Sequence, residues 1–366
     1  MKIAVCGAGR GGTTLAADFA LMGHDVTLYQ HPNFAENLEY IRKVGGISIH
    51  GTTISGKEGK VMPKLTTDAA EAVKGARVVL FAVPAFGHEG LMSEIIPHLE
   101  DGQVVIVNTG YFAGLRFRDQ IFKNGRKVLW VETELLPYLT ELPNPAEAYV
   151  MAVKANLGVA TLPACYNEEA FAVVKELYPM AELRSNILEI AAICSNELVH
   201  MPLILLNLGN IDRCADDGHF DIYGSGVSRK LCKVIETMDL DKIEFMRLFG
   251  IEVEDVITTR QRIYPNANPE GKGMYEFMME DNNTKSFNMM PREYYAITEE
   301  DIGYGLVPMA SIARSLGKEL PMFEAFINMY GAAYGKSFWE TGITAEKLGL
   351  AGKSAEEILH ILETGE

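Results

Sequence analysis

The sequence is poor in features that would assign it to a disulfide-rich or metal-binding class. Its 366 residues include five cysteines, scattered at 6, 165, 194, 214 and 232, with no C-x-x-C pair. No Cys/His spacing suits zinc, and an odd number of scattered thiols does not predict a disulfide framework. We therefore expect reduced cysteines in a cytoplasmic protein, and no metal site.

Basic residues are also scarce. Lys and Arg number 33 against 49 Asp and Glu, which gives a formal net charge of −16 and a pI near 5.0. Binding to nucleic acid needs a basic surface that releases counterions, so this balance argues against a nucleic-acid partner. Small anions can still be bound by a few local groups.

Long apolar runs are missing as well. The N-terminal run ends at Cys6 and glycines follow at once, which is not the pattern of a signal peptide. The most apolar later segment, 187–206, contains two glutamates and His200, so it predicts a buried helix rather than a membrane span. We expect no membrane partner.

What the sequence does have is a glycine-rich turn in a defined setting. The short apolar run 1–6 breaks into a G-x-G-x-x-G pattern with glycines at Gly7, Gly9, Gly11 and Gly12, and an apolar helix and a second strand, 24–29, follow. Such glycines allow a tight turn and let the backbone approach a pyrophosphate at the helix N-terminus. The setting predicts a dinucleotide-binding unit; an ordinary turn of another α/β protein is the alternative.

Further strand candidates follow at the spacing of a doubly wound sheet, at 76–83, 104–107 and 127–131. The insertion 45–64 predicts a small β excursion. Open α/β sheets bind ligands at the carboxyl ends of their strands. The candidate cofactor contacts are therefore the residues at these ends: Val83, Pro84, Asn108, Thr109 and Glu132.

The end of the second strand bears on the choice of cofactor. NAD-preferring sites usually place an acid there for the ribose 2′-hydroxyl, whereas Tyr29-Gln30-His31 offers none. A 2′-phosphate would meet no repulsion, and Arg10 and His31 could approach it. These residues favour NADP without excluding NAD; a solvated loop position is the other interpretation of Arg10.

From residue 184 onward the pattern is helical. The sequence thus predicts an α/β fold with a Rossmann-type dinucleotide-binding domain over 1–183, followed by an all-helical substrate and catalytic domain over 184–366. A helix predicted from Asn186 to about Gly209 is apolar nearly all round, yet it carries Asn196, His200 and Asn207, which fall within roughly 40° of one another. A core histidine bonded to a carbonyl, and interhelix hydrogen bonds of the asparagines, are the structural alternatives.

A second polar segment follows at 298–308. Thr298 and Asp301 have the spacing of a capping box, while Gly303 and Gly305 predict that no regular helix follows and that the backbone there lies close to another group. A carboxylate beside a buried histidine would hold one imidazole tautomer and favour the imidazolium, which suits acid–base chemistry.

These segments resemble the opine dehydrogenases, a family that includes octopine, nopaline and carboxyethyl-norvaline dehydrogenases. The resemblance rests on Asn196-Glu197-Leu198-Val199-His200 with Pro202 and Asn207, on Glu300-Asp301, on Gly305-Leu306-Val307-Pro308, and on Leu348-Gly349-Leu350. It covers the whole chain, because Val83-Pro84-Ala85 and Glu132-Thr133 also match.

The resemblance implies reductive condensation of an α-keto acid with the amino group of an amino acid, using NADH or NADPH. It implies that His200 is the catalytic histidine and Asp301 its partner, and Asn196 would position the substrate. The family often has an arginine shortly before the Glu-Asp pair, whereas here Tyr294, Tyr295 and Ala296 occupy that stretch.

Arg292 is then the nearest cation for a substrate carboxylate, with Arg213 and Arg229 as the other candidates, and Asn207 is a second candidate substrate contact. We expect both substrate carboxylates in a cleft between 1–183 and 184–366, within reach of His200. The identities of the amino acid and keto acid stay open, as does the oligomeric state, a homodimer included.

Two other functions compete with this one. A ketopantoate- or glycerol-3-phosphate-type dehydrogenase would use a catalytic lysine, and Lys230 and Lys233 lie in a segment with an exposed amphipathic pattern. A protein that senses NAD(P) without turnover would need neither His200 nor Asp301.

Overall fold

The computed structural model describes residues 1–214, 218–267, 272–281 and 291–366. It forms two compact units, Met1–Ile190 with Leu362–Glu366, and Ala191–Ile361. The sequence analysis set its division at residue 184, and it contained no sign that the last residues belong with the first unit.

The first unit is built on an eight-stranded sheet in the order β12-β11-β8-β7-β6-β1-β2-β5. Adjacent strands are parallel except β8 and β11, which are antiparallel. The strands of this sheet are β1 Lys2–Cys6, β2 Asp25–Tyr29, β5 Lys64–Thr66, β6 Val78–Phe81, β7 Val104–Asn108, β8 Leu129–Thr133, β11 Leu157–Leu162 and β12 Ala181–Leu183.

The order from β5 to β8 is that of a Rossmann fold, and it confirms the predicted dinucleotide-binding architecture. Every residue of β6 and β7 is buried. Strands covered on both faces read as continuous apolar runs, which is why the sequence predicted them. The strand order reverses between β1 and β6, so ligands are expected at the carboxyl ends of these two strands.

The helices of the first unit connect these strands. They are α1 Arg10–Leu21, α2 Glu36–Val44, α3 Ala69–Val73, α4 His88–Ile95, α5 Ala113–Arg116, α6 Arg118–Ile121, α7 Asn167–Leu177 and α8 Ile187–Ile193, the last of which crosses into the second unit. Short 3₁₀ segments lie at Pro32–Phe34, Ala85–Gly87, Ile96–His98, Lys123–Gly125 and Ala164–Tyr166.

A second sheet of four strands, in the order β4-β3-β10-β9, accompanies the first. Its strands are β3 Ile47–Gly51, β4 Gly59–Val61, β9 Tyr138–Asn144 and β10 Glu147–Val153. Asp18 of α1 ties this sheet to the first layer, since its carboxylate accepts from the Ile54 amide at 2.9 Å and the Tyr138 hydroxyl at 2.5 Å. The β excursion is confirmed, whereas the β9–β10 hairpin was not anticipated.

The second unit is helical in the part of the chain that the structure describes, as predicted. Its helices are α9 Asn196–Leu205, α10 Leu208–Ile211, α11 Arg229–Arg247, α12 Val256–Ile263, α13 Met274–Glu280, α14 Pro291–Glu300, α15 Val307–Ser315, α16 Pro321–Tyr334, α17 Phe338–Thr341 and α18 Ala355–Thr364, whose end lies in the first unit. A π-helical turn, Asp301–Leu306, joins α14 to α15.

The helix predicted over 186–209 is three helices, α8, α9 and α10. By length and composition the segment Ile187–Leu205 could cross a membrane, but 89% of it is buried inside the structure, so it packs as part of the protein interior. Asn207 lies beyond the end of α9, and the predicted three-residue polar stripe is therefore wrong at that position.

One prediction for 298–308 is also wrong. Thr298 does not cap a helix, because it lies inside α14 and its hydroxyl donates to the Tyr294 carbonyl at 2.9 Å. Gly303 and Gly305 do interrupt the regular α-helix, as predicted, because the chain follows a π-helical turn through them. Asp301 is the first residue of that turn.

The glycine-rich turn generates a stability prediction. A Cβ at Gly12 would lie 1.8 Å from the Gly7 carbonyl oxygen, whereas a Cβ at Gly9 would meet nothing within 4 Å. Gly12→Ala should lower the free energy of unfolding by about 2–4 kcal/mol, since α1 must move away from β1. Gly9→Ala should change it by less than about 1 kcal/mol. Urea unfolding of both variants checks this, and equal stabilities would contradict it.

Candidate active site

The carboxyl end of β1 presents an open helix N-terminus. Gly9 is the N-cap of α1, no acidic residue lies in the first turn, and the first helical hydrogen bond runs from the Thr13 amide to the Gly9 carbonyl at 2.9 Å. The preceding amides are thus not used within the helix. The empty space at Gly9 allows a phosphate to approach the backbone, so the turn fits a dinucleotide pyrophosphate.

The end of β2 is organised by its own side chains. Gln30 is buried, and its Oε1 accepts from the His31 amide at 3.1 Å. His31 Nδ1 accepts from the Asn33 amide at 3.1 Å, which leaves Nε2 facing Glu94 Oε1 at 3.9 Å. Glu94 belongs to α4 and is half exposed. The sequence analysis missed this carboxylate because it lies far along the chain from β2.

The other predicted cofactor contacts lie where the sheet predicts, at the ends of β6, β7 and β8. Val83 and Pro84 follow β6, and Pro84 caps the short 3₁₀ segment after it. Asn108 is buried and its amide nitrogen donates to the Tyr178 hydroxyl at 3.3 Å, while Thr109 is partly exposed. The structure brings these positions to one edge of the sheet.

Glu132 differs from these residues because its carboxylate is fully buried within the first unit. It accepts from the Phe112 amide at 3.0 Å and from the Gly114 amide at 2.6 Å. Burial raises the pKa of Glu132 to about 7, against the lowering effect of these amides. These contacts show Glu132 shaping the loop after β7, a role that the sequence analysis did not anticipate.

In the second unit, His200 and Asp301 form a hydrogen-bonded pair. Nδ1 of His200 on α9 lies 2.8 Å from Oδ2 of Asp301, although 101 positions separate them in the chain. Asp301 is 1% exposed, and the His200 side chain keeps 18% of its surface accessible. A buried carboxylate on Nδ1 fixes the ring orientation and leaves Nε2 to exchange protons.

Of the remaining predicted site residues of this unit, one lies next to His200 on the same helix and the others do not. Asn196 is the first residue of α9, one turn before His200, and is partly exposed. Asn207 is buried and donates to the carbonyls of Leu203 at 2.8 Å and Gly226 at 3.0 Å. Its amide holds the chain beyond α9, which matches the structural alternative.

Arg292 is exposed, in the first turn of α14. Nine residues at about 100° each place it roughly half a turn around the helix from Asp301. The structure therefore does not direct this arginine toward the pair.

Glu197 is a residue to which the sequence analysis assigned no role. It lies three positions before His200 on α9, is 1% exposed, and within the described residues neither carboxyl oxygen has a hydrogen-bond partner. Burial, and secondly the nearby Asp301 charge, raise the pKa of Glu197 well above its usual range. Gly305 packs opposite it, and a Cβ at Gly305 would lie 3.4 Å from three of its carbons, at van der Waals contact. An acidic residue inside an apolar helix was the available signal.

A narrow crevice borders His200 within this unit. Its walls are aliphatic or tyrosyl apart from the histidine: Leu203, Ile204, Ile222, Tyr223, Tyr294 and Ile297. The Tyr223 ring meets the His200 ring edge-on, with centroids 6.4 Å apart.

Comparison with known proteins gives matches over both units. Residues 183–334 match the family model for the NAD/NADP octopine/nopaline dehydrogenase alpha-helical domain, and residues 2–120 match that for the NAD-dependent glycerol-3-phosphate dehydrogenase N-terminus. An opine dehydrogenase of Arthrobacter sp. strain 1C is 27% identical over 98% of both chains. The chain is thus similar to the opine dehydrogenases over nearly its whole length.

Solved structures share the fold. Octopine dehydrogenase in complex with NADH and agmatine has a TM-score of 0.79 at 20% identity, covering 100% of this chain and 98% of that one. Yersinopine dehydrogenase with NADP⁺ has a TM-score of 0.70 at 18% identity, covering 99% and 97%.

The protein described here is accordingly an NAD(P)-dependent dehydrogenase with small-molecule substrates. The reaction of the opine dehydrogenases is reductive condensation of an α-keto acid with an amino acid. The glycerol-3-phosphate match stops at residue 120, within the cofactor domain, so the first competing function is not favoured.

The buried Glu197 carboxyl generates a pH-dependent prediction. Because its pKa is raised on folding, the folded chain holds a proton that the unfolded chain releases above pH 4.5. Stability is therefore lost as pH rises above 4.5, by about 1.4 kcal/mol per unit up to the raised pKa. Glu197→Gln mimics the neutral form, so its stability relative to wild type should increase from pH 5 to 8 in denaturant titrations.

Glu319→Gln, which neutralises an exposed carboxylate, is the matched control and should show no such divergence. Parallel curves for wild type and Glu197→Gln would mean that Glu197 is ionised in the folded protein.

Proposed function

We propose that His200 is the general acid and base of this dehydrogenase, and that Asp301 orients it. The observation that supports this is the 2.8 Å contact between His200 Nδ1 and a carboxylate that is itself 1% exposed. Such a partner holds Nδ1 as the donor and stabilises the imidazolium when Nε2 gains a proton.

Condensation of an amino group with a keto acid passes through a carbinolamine that must lose water. Nε2 of His200 donates a proton to the departing hydroxyl, which leaves the imine, and in the reverse reaction it takes that proton back. The reduced nicotinamide supplies a hydride to the imine carbon when it is bound. Asn196, one turn before His200, is the candidate for positioning a substrate by hydrogen bonding.

The second competing function, sensing of NAD(P) without turnover, differs in what it requires of the second unit. A sensor needs the glycine-rich turn but gains nothing from a buried carboxylate on a partly exposed histidine. The pair therefore favours catalysis, and an activity assay separates the two functions.

The assay is oxidation of NADPH or NADH with a panel of amino acids, each paired with pyruvate or 2-oxoglutarate. Given an active pair, His200→Ala should lower turnover by about 10²- to 10⁴-fold while leaving cofactor affinity nearly unchanged, because a general acid and base acts on the reacting atoms. Asp301→Asn should also lower the rate, since it removes the charge that stabilises the imidazolium.

His98→Ala, a change at an exposed histidine of the first unit, serves as the control. Near wild-type turnover of His200→Ala at saturating substrate would refute the catalytic role of His200.

For the cofactor, we propose that the protein binds NADPH more tightly than NADH, and that the carboxylate of Glu94 makes this difference in affinity smaller. No acid occupies positions 29–31, and His31 is available to a 2′-phosphate at its Nε2 edge. Glu94, at 3.9 Å from that edge, both attracts a protonated His31 and repels a phosphate. The two effects oppose each other, so the preference should be modest.

Glu94→Gln should strengthen NADPH binding by about 3- to 10-fold and leave NADH binding unchanged, because only the phosphate bears the extra charge. Gln30→Asp should narrow or reverse the preference, since a carboxylate there accepts a bond from the 2′-hydroxyl. Fluorescence titrations of both cofactors measure this. Glu89→Gln on the same helix is the charge-matched control, and identical NADPH affinities in all the variants would show that neither residue lies near the ribose.

A further inference from the structure

The loop that follows β7 carries backbone strain at two successive residues. Tyr111 and Phe112 have φ angles of 49° and 59°, in the left-handed region that residues other than glycine seldom adopt. Both side chains are buried. Residues in this conformation are strained and persist only when the surrounding structure holds them there. The loop therefore needs an interaction that fixes its backbone.

Glu132, at the end of β8, supplies that interaction. Its carboxylate accepts from the amide of Phe112 at 3.0 Å and from the amide of Gly114 at 2.6 Å. The loop also passes so close to it that a Cβ at Gly110 would lie 2.2 Å from Glu132 Oε2. Two backbone donors thus converge on one group, which suits the ionised form because a carboxylate accepts at both oxygens.

Protonation of Glu132 weakens this contact. A protonated carboxyl group carries an O–H, which would face backbone donors here, so one of the two amides loses its full-strength acceptor. Burial raises the pKa of Glu132 to about 7, so the folded protein holds both forms near neutral pH.

Two other titratable groups, on neighbouring elements, act with Glu132. The strands on either side place Val107 and Ala160 beside it, whereas α5 contributes Arg116, whose charge lowers the pKa of Glu132. Nη1 of Arg116 lies 3.2 Å from Nδ1 of His88 on α4. Burial, and secondly the Arg116 charge, lower the pKa of His88 to about 3, so this histidine stays neutral. Of these three groups, Glu132 is the one that changes charge between pH 6 and 8.

The loop lies at the edge of the sheet where dinucleotides bind. It starts after Asn108, the last residue of β7, and open α/β sheets bind their ligands at such strand ends. Asn108 is fixed on the sheet side, since its amide oxygen accepts from Thr133 Oγ1 at 3.1 Å. Thr109 leads directly into the strained segment. The position of Thr109 therefore depends on how Glu132 holds the residues that follow it.

We propose that Glu132 is a positioning residue for the nicotinamide cofactor: its ionised carboxylate holds the loop after β7 in the conformation that presents Asn108 and Thr109, and its protonation weakens cofactor binding. The proposal is independent of the roles proposed for His200 and Glu94. Cofactor titrations test it without turnover, so failure of the catalytic proposal and failure of this one are separate results.

Titration of NADH at several pH values is the experiment. NADH is the probe because a 2′-phosphate would itself titrate in this range. A group with a pKa near 7 in the free protein that is ionised in the complex predicts a fall in NADH affinity of about 10-fold from pH 8 to pH 6. Glu132→Gln should bind NADH about 10-fold more weakly than wild type at pH 8, with no change down to pH 6, because its NH₂ group faces the loop amides at every pH.

Glu141→Gln removes an exposed carboxylate from β9 and is the matched control, which should keep the wild-type affinity and its pH dependence. A pH dependence that Glu132→Gln retains would belong to another group, such as His31, and overturns the proposal. Wild-type affinity of Glu132→Gln at pH 8 also overturns it, since the loop would then need no ionised Glu132.

Calorimetry of the wild-type protein keeps the test independent of whether the variant folds. NADH binding at pH 7 should release about half a proton, measured from the dependence of the binding enthalpy on the ionisation enthalpy of the buffer. Protonation of His31 beside the pyrophosphate would instead take up a proton, so the sign separates the two groups. Absence of release, or net uptake, overturns the proposal.

Discussion

In the proposed mechanism, the second unit depends for its chemistry on the hydrogen bond between His200 and Asp301. This bond requires α9 to lie against the π-helical turn, where Gly305 packs opposite Glu197. The carboxyl groups of Glu197 and Asp301 are thereby buried close together, and the second of them bonds to His200. Burial, and secondly the nearby Asp301 charge, raise the pKa of Glu197, so the arrangement favours the neutral form of this second acid.

The parts of the fold that could be predicted from sequence are those with local signals. The strand, glycine turn and helix of 1–21 occupy a single short stretch, and the apolar runs of β6, β7 and β8 are typical of strands covered on both faces. The β9–β10 hairpin was missed because its partner, β3, lies about a hundred residues earlier, and its pairing depends on contacts that no local pattern records.

The site was only partly predictable for a similar reason. His200 and Asp301 were paired through a family resemblance, and a local rule assigned Thr298 and Asp301 to a helix start. Tertiary packing overrides that propensity, because the chain keeps a helical path and takes up the extra residue in a π-helical turn, a feature often found at functional sites. Glu94 escaped notice because His31, the residue that it faces, is distant in sequence.

Because the net charge is −16, the binding of anionic ligands must depend on local groups such as single cations and helix N-termini. Its long-range field repels anions, yet its cofactor and both substrates are anionic, so recognition must come from short-range groups that the field does not cancel. The amides at the start of α1 act in this way on a pyrophosphate, because they present donors without a mobile charge. The same holds for a substrate carboxylate, which needs donors at short range to replace its lost hydration. An acidic protein can thus discriminate between anions by geometry, because only an anion that reaches such local donors offsets the repulsion of the surface charges.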